Sequence, residues 1–254
     1  MYDALEARLH DVFWDAGGEC AEMPLIEAFL RQFPGTALEL GCGSGRLLLP
    51  LLEKGYMVEG LDNSQDMLGL CRQRAGQHEP VLHHAEMASF QTGSTYAAIA
   101  VPAFTLQLLP YADVRKVFAN IRGHLHAGGG LYLSTFIPWA EITGELDEGT
   151  WFLDHEARLD DGKAAQCHTK FHIRRMAQEL VRDHRYELRD VDGGLLEKST
   201  STHRLTWFWP RELKELLAAS GFQVERVTGD FSTDGTLDED SQIITIVAKR
   251  CEDG

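Results

Sequence analysis

The stretch Leu38-Glu39-Leu40-Gly41-Cys42-Gly43-Ser44-Gly45-Arg46 constrains this chain more than any other. A short apolar run meets glycines at alternate positions, then a segment with helical spacing. Glycine has no Cβ and tolerates backbone angles other residues avoid, so a strand can turn sharply here and bring its main chain against a ligand. A strand running through such a turn into a helix is the opening unit of a parallel α/β sheet, and a nucleotide is the natural ligand. The dinucleotide fingerprint needs Gly or Ala three positions after its second Gly, where this chain has Arg46, so the pattern departs from the NAD type. A P-loop is ruled out because no Gly-Lys-Ser/Thr follows. Taken alone, the glycines also allow a tight turn without a ligand.

The following hundred residues alternate in the manner of strands covered on both faces. Strands are expected at 37–40, 57–61, 81–84, 97–101 and 131–136, with helices at 46–53, 65–74 and 113–125. Val114, Val117, Phe118, Ile121 and Leu125 form one helical stripe, and Gly55 and Gly128 stand where helices should stop. Residues 137–149 read as a surface connection. A different pattern follows: Cys167, Thr169, Phe171 and Ile173 alternate with Gln166, His168, Lys170, His172 and Arg174, the period of two that separates the faces of a strand. Asp192-Gly193-Gly194 between two extended runs is a hairpin signal. Helix returns at Pro210 and stops at Gly221, and strands are expected at 222–227 and 242–248. The acidic loop between them lacks EF-hand spacing and reads as a solvated turn.

Composition narrows the function. At 254 residues, with 44% hydrophobic and 25% charged residues, the chain suits one large domain or a domain with an insertion. No apolar run approaches the roughly 20 residues a membrane span needs, and the N-terminus carries no secretory pattern, so a cytoplasmic protein is expected. The five cysteines are scattered without a Cys-x-x-Cys pair, which argues for reduced thiols and no metal site. Net charge is -15, disfavouring nucleic acid as a partner. Residues 151–206 differ from the rest: ten basic residues balance ten acidic ones, and five of the eleven histidines fall there.

Asp62 closes the second strand, 21 residues after Gly41 (62 minus 41), where a carboxylate can accept from paired ribose hydroxyls. It could equally cap the helix ahead of Ser64 and Gln65, and both roles can hold together. With these motifs, the sequence resembles the class I S-adenosylmethionine-dependent methyltransferases over nearly its whole length. The likeness implies a doubly wound, seven-stranded Rossmann-like α/β sheet, S-adenosyl-L-methionine as cofactor and a cofactor site drawn from Gly41, Cys42, Gly43, Gly45, Asp62, Asn63, Met67, Glu86, Met87 and Val101. Glu86 would meet the adenine amino group, a position where the family more often has Asp, and Met87 would lie along the ring. The segment Ala100 to Gln107 is similar to the family segment that faces the methionine portion and the methyl, with carbonyls near Ala100 and Val101 offered to the cofactor's amino group.

Trp207-Phe208-Trp209-Pro210, Gly221-Phe222 and Gly229-Asp230-Phe231 are similar to the family's small-molecule branch, which includes amino-sugar and glycine-type N-methyltransferases. In that branch an antiparallel insertion covers the active site. The implied division is a helical cap at 1–35, a cofactor core at 36–150, an inserted antiparallel β lid at 151–206 and a closing helix and hairpin at 207–254. Trp14, Phe104, Trp139 and Trp151 are the substrate-contact candidates. His168 and His172, on one face of one strand, are the base candidates, set against an ordinary solvated face. Methyl transfer needs positioning rather than a covalent nucleophile. The acceptor is therefore expected to be a small molecule with a nitrogen or oxygen nucleophile. An RNA or protein methyltransferase and a non-catalytic cofactor-binding protein are the alternatives. Whether two copies pair as a homodimer is left open.

Overall fold

The computed structural model describes residues 4–15 and 20–252. The chain divides into two compact units, one of residues 1–20 and 139–205, the other of 21–138 and 206–254.

The larger unit is built on a seven-stranded sheet. Its strands are β1 (Ala37–Leu40), β2 (Val58–Asp62), β3 (Leu82–His84), β4 (Tyr96–Val101), β5 (Leu125–Phe136), β10 (Phe222–Gly229) and β11 (Ile243–Arg250). The order is β10-β11-β5-β4-β1-β2-β3, parallel except for β11, which runs antiparallel to both neighbours. β1 and most of β4 are buried, which explains their unbroken apolar runs. The flanking helices are α2 (Met23–Gln32), α3 (Leu48–Glu53), α4 (Gln65–Arg74), α5 (Tyr111–His124) and α7 (Pro210–Ala219). The α5 stripe is buried as its spacing predicts, and α7 stops at Gly221, whose φ is +81°.

Several boundaries differ from the sequence expectation. α3 begins at Leu48 rather than at residue 46, because the glycine turn runs on past Gly45. α5 ends at His124, and Gly128 lies within β5. There the ladder pairs Tyr96 with Leu125 and next Ala98 with Gly130, so the intervening residues bulge out of register. Within 137–149, expected as plain connection, Trp139–Thr143 forms the short helix α6.

The smaller unit carries a four-stranded antiparallel sheet of β6 (Phe152–Arg158), β7 (Ala164–Arg174), β8 (Glu179–Arg189) and β9 (Leu195–Thr206), in that order. The Asp192-Gly193-Gly194 hairpin joins β8 to β9, as its sequence predicts. The alternation in β7 is realised residue by residue: Ala165, Cys167, Thr169, Phe171 and Ile173 are buried and their neighbours are not. The buried set faces α1 (Ala4–Asp15), where Leu5 and Leu9 pack with Ala165, Cys167 and Tyr186. This face is called the inner face below.

Candidate active site

β1 lies between β4 and β2: the chain runs outward from β1 to β2 and β3, then crosses back to β4 on the other side and continues outward to β5. That makes the carboxyl ends of β1 and β4 the switch point, where doubly wound sheets place ligands. Gly41, Gly43 and Gly45 occupy this end with φ of 75°, 54° and 86°. A Cβ at Gly41 would stand 2.3 Å from Thr105 Cγ2, and one at Gly45 would stand 2.7 Å from Cys71 Sγ. At Gly43 the nearest atom would be Met67 Cε at 3.5 Å, so conformation rather than crowding requires glycine there. Crowding at Gly41 and Gly45 and conformation at Gly43 thus each demand glycine. Gly41 and Cys42 both donate their N–H groups to Leu61 O, at 2.7 and 3.0 Å, fastening the turn to β2.

Asp62 joins the turn from the other side. Its Oδ2 accepts from Gly43 N at 2.9 Å and its Oδ1 from Ser64 N at 2.8 Å. Burial raises its pKa against these backbone donors. A carboxylate has about four lone-pair sites, so two hydroxyl donors still have room. The helix cap is Ser64, whose hydroxyl accepts from Met67 N at 3.3 Å; Asp62 braces the cap from outside. Asn63 Nδ2 reaches both Glu86 oxygens, at 3.2 and 3.3 Å, so Asp62, Asn63 and Glu86 form one group at the ends of β2 and β3. Met87 is half-buried, and its carbonyl accepts from Asn120 Nδ2. Met67 is buried beneath Gly43, and Cys42 and Val101 are buried as well.

Two buried carboxyls stand near this group, and sequence reasoning had passed over both. Glu39 is 4% exposed in β1, and its Oε2 is buried without a hydrogen bond. Burial pushes its pKa up to about 8; Arg46 opposes the rise, and Glu22 and Asp62 add to it. Glu22 accepts from Ala103 N and from Tyr132 OH, each at 3.0 Å, and burial likewise raises its pKa. The only available signal was an acid within the apolar run Ala37–Leu40. Glu22, placed just before a helix beginning Met23-Pro24, gave none.

After β4 the backbone turns through Ala103 and Phe104, both left-handed, with φ of 51° and 62°. Such residues cost on the order of 1–3 kcal/mol each and persist where their surroundings fix them. Here Glu22 holds the Ala103 amide, and the Phe104 ring packs on Phe136 and Phe231, with centroids 5.2 and 6.0 Å away.

The remaining candidates lie in the smaller unit. Trp14 belongs to α1, but its side chain falls outside the described residues. Trp139 is half-buried in α6. Trp151 carries Arg185 and Lys170 over its ring, at 4.4 and 5.1 Å from the centroid, so its affinity for cations is engaged within the sheet. His168 and His172 occupy the face of β7 opposite the inner one, His172 lying 3.5 Å from Glu148. His168 Nδ1 is buried without a hydrogen bond.

The orphaned Glu39 oxygen and a turn whose three positions each demand glycine fit a ligand that brings its own cation and lies against main chain. Comparisons with known proteins agree. Residues 37–129 match the model of a methyltransferase domain. Over 243 residues, covering 90% of this chain and 88% of the relative, the sequence is 23% identical to the dTDP-3-amino-3,6-dideoxy-alpha-D-glucopyranose N,N-dimethyltransferase of Streptomyces fradiae. The fold is similar to that of an S-adenosylmethionine-dependent methyltransferase from Clostridium acetobutylicum, with a TM-score of 0.80, 16% identity and coverage of 97% and 98% of the two chains. It is also similar to CalS10 of Micromonospora echinaspora, an amino pentose methyltransferase solved with S-adenosylmethionine bound. There the TM-score is 0.71 at 22% identity, over 98% of this chain and 100% of the other.

Proposed function

We infer that this chain, a class I S-adenosylmethionine-dependent methyltransferase, methylates the nitrogen of a small amine, and that the amine belongs to an amino sugar. One observation carries the acceptor class: the likeness to the Streptomyces fradiae amino-sugar enzyme runs through 90% of this chain, and so takes in most of the inserted residues as well as the cofactor half. The net charge of -15 argues in the same direction, because it repels RNA.

The bound cofactor supplies an electrophilic methyl that a nucleophile displaces in line. The chain's task is to hold the partners and exclude water. Asp62 would accept from the ribose hydroxyls and Glu86 from the adenine amino group. The main chain of Gly41–Gly45 would lie against the cofactor, and Glu39 would meet its ammonium group with the oxygen that now lacks a donor. Phe104, turned by its left-handed backbone at the end of β4, would border the transferred methyl. A neutral amine needs no base to attack; it loses its proton afterwards. A cytoplasmic location and pairing as a homodimer complete this reading, and light scattering would measure the second.

Calorimetric titration with S-adenosylhomocysteine, with NAD as control, tests the cofactor half. The parent should bind the first and ignore the second, and Asp62→Ala should weaken binding by about 2 kcal/mol. Labelled cofactor offered with amino sugars, tRNA and cell protein tests the acceptor. Label on the sugars alone is expected, and label on RNA or protein overturns the acceptor class. Failure to bind S-adenosylhomocysteine overturns the cofactor assignment itself.

A further inference from the structure

Resting on the cofactor placement above, we propose that Glu22 is a positioning residue for methyl transfer: its carboxyl group fixes the Ala103–Phe104 turn, and through that turn holds the Phe104 ring beside the methyl of bound S-adenosylmethionine. The turn needs fixing. Ala103 and Phe104 are consecutive non-glycine residues in the left-handed region, and such a pair persists only where its surroundings impose it.

Both amides of the turn lead to Glu22. The Ala103 N–H donates to Glu22 Oε2 at 3.0 Å. The Phe104 N–H donates to Ser134 Oγ at 3.5 Å, and the Ser134 hydroxyl is itself hydrogen-bonded to the Glu22 carboxyl. Tyr132 OH donates to Glu22 Oε1 at 3.0 Å and completes the set. Tyr132 and Ser134 stand two apart on β5 and so share a face of that strand. Glu22 is 2% exposed, and Tyr132 and Ser134 are fully buried. Its own carbonyl accepts from Leu25 N and Ile26 N, both at 3.1 Å, which anchors the residue to the first turn of α2. Moving the carboxyl would strand buried donors on β5 and in the turn, so it stays where it is.

The turn held in this way adjoins the glycine turn. Thr105, the next residue, returns its hydroxyl to Pro102 O at 2.7 Å, and its Cγ2 fills the space beside Gly41 that a Cβ would enter. The half-buried Phe104 ring stacks on Phe231, with 17° between the planes, and meets Phe136 edge-on at 68°. Phe231 is also left-handed, and its neighbour Asp230 accepts from Gln242 N and Ile243 N at 2.9 and 2.8 Å. The Phe104 ring is thus held through its neighbours and its backbone through Glu22. An aromatic ring attracts a sulfonium cation and has no such attraction for the neutral thioether left after transfer. Glu22 should therefore matter to the methylated cofactor and hardly to the demethylated one.

Calorimetric titration of S-adenosylmethionine and of S-adenosylhomocysteine into the parent, Glu22→Ala, Phe104→Leu and the double variant tests this. Each single variant should weaken S-adenosylmethionine about tenfold and S-adenosylhomocysteine by less than about twofold. The double variant should be no weaker than either single one, because Glu22 acts through Phe104. Additive losses, equal weakening of both ligands, or parent affinity for S-adenosylmethionine in Glu22→Ala overturns the proposal. Should Glu22→Ala not fold, Ser134→Ala decides, since it cuts the link from Glu22 to the Phe104 amide. A weakening of about threefold confined to S-adenosylmethionine is then expected, and parent affinity overturns the proposal. A parent that binds neither ligand overturns the cofactor reading itself, and this proposal with it.

Discussion

The Gly41–Gly45 turn and the inner face of β6–β9 each hold polar groups in place, but with different materials. At the turn the partners are main chain: Gly41 and Cys42 amides on Leu61 O, and the Gly43 amide on Asp62. On the inner face they are side chains reaching across strands, Asp154 to Thr169 to His184, and Glu6 to Tyr186, Ser201 and His203. A main-chain site cannot be varied without moving the fold, so it suits a ligand that never changes. A side-chain network can be rewritten one residue at a time.

Gly41→Ala should separate the two most strongly. Its Cβ would overlap Thr105 in a left-handed backbone, so a loss of about 3 kcal/mol in urea unfolding is expected, together with loss of S-adenosylhomocysteine binding. A stable, binding-competent alanine variant would break the contrast. The pH response sharpens it next. Glu39 is raised to about 8 from 4.5, so it holds its proton when folded, and stability present below pH 4.5 is lost as pH rises to 8. Burial lowers His184 to about 4 from 6.5, so the unfolded chain binds the extra proton, and stability present above pH 6.5 is lost as pH falls to 4. Each contributes a slope of up to about 1.4 kcal/mol per pH unit, of opposite sign. Denaturant titrations should therefore show Glu39→Gln removing a fall in stability between pH 4.5 and 8 and His184→Gln removing a rise between pH 4 and 6.5. Ser64→Ala should cost about 1 kcal/mol through the lost α4 cap, measured by thermal unfolding. Trp151→Leu should cost about 0.5–1 kcal/mol through the lost Arg185 and Lys170 contacts. It should leave S-adenosylhomocysteine affinity unchanged.

The same contrast explains what could be read from sequence. A main-chain site leaves its mark locally: glycines at 41, 43 and 45, and an acid 21 residues on from the first. The β7 strand was legible because alternation is local as well. Glu39 was hidden because a buried carboxyl differs from an exposed one only in its neighbours, and Arg46, Glu22 and Asp62 come from three other segments. His184 was hidden for the same reason, its chain to Asp154 spanning 30 residues (184 minus 154). His168 and His172 stood out because their spacing is visible. The spacing put them together on one face of β7, but only the pairing of β7 with β8 and the position of α1 show that it is the face opposite His184.

The Glu6 contacts have a consequence for how the molecule is made. Tyr186 and Ser201 lie 180 and 195 residues after Glu6 in the chain, so they are made well after it. At about 5–20 residues per second, α1 waits on the order of 10–40 s for the strands that bury it. During that interval Leu5 and Leu9 have no core to enter. The seven-stranded sheet likewise cannot be completed before β10 and β11 have been made. Both sheets are thus completed late, and α1 stays exposed to chaperones and proteases until β8 and β9 follow it.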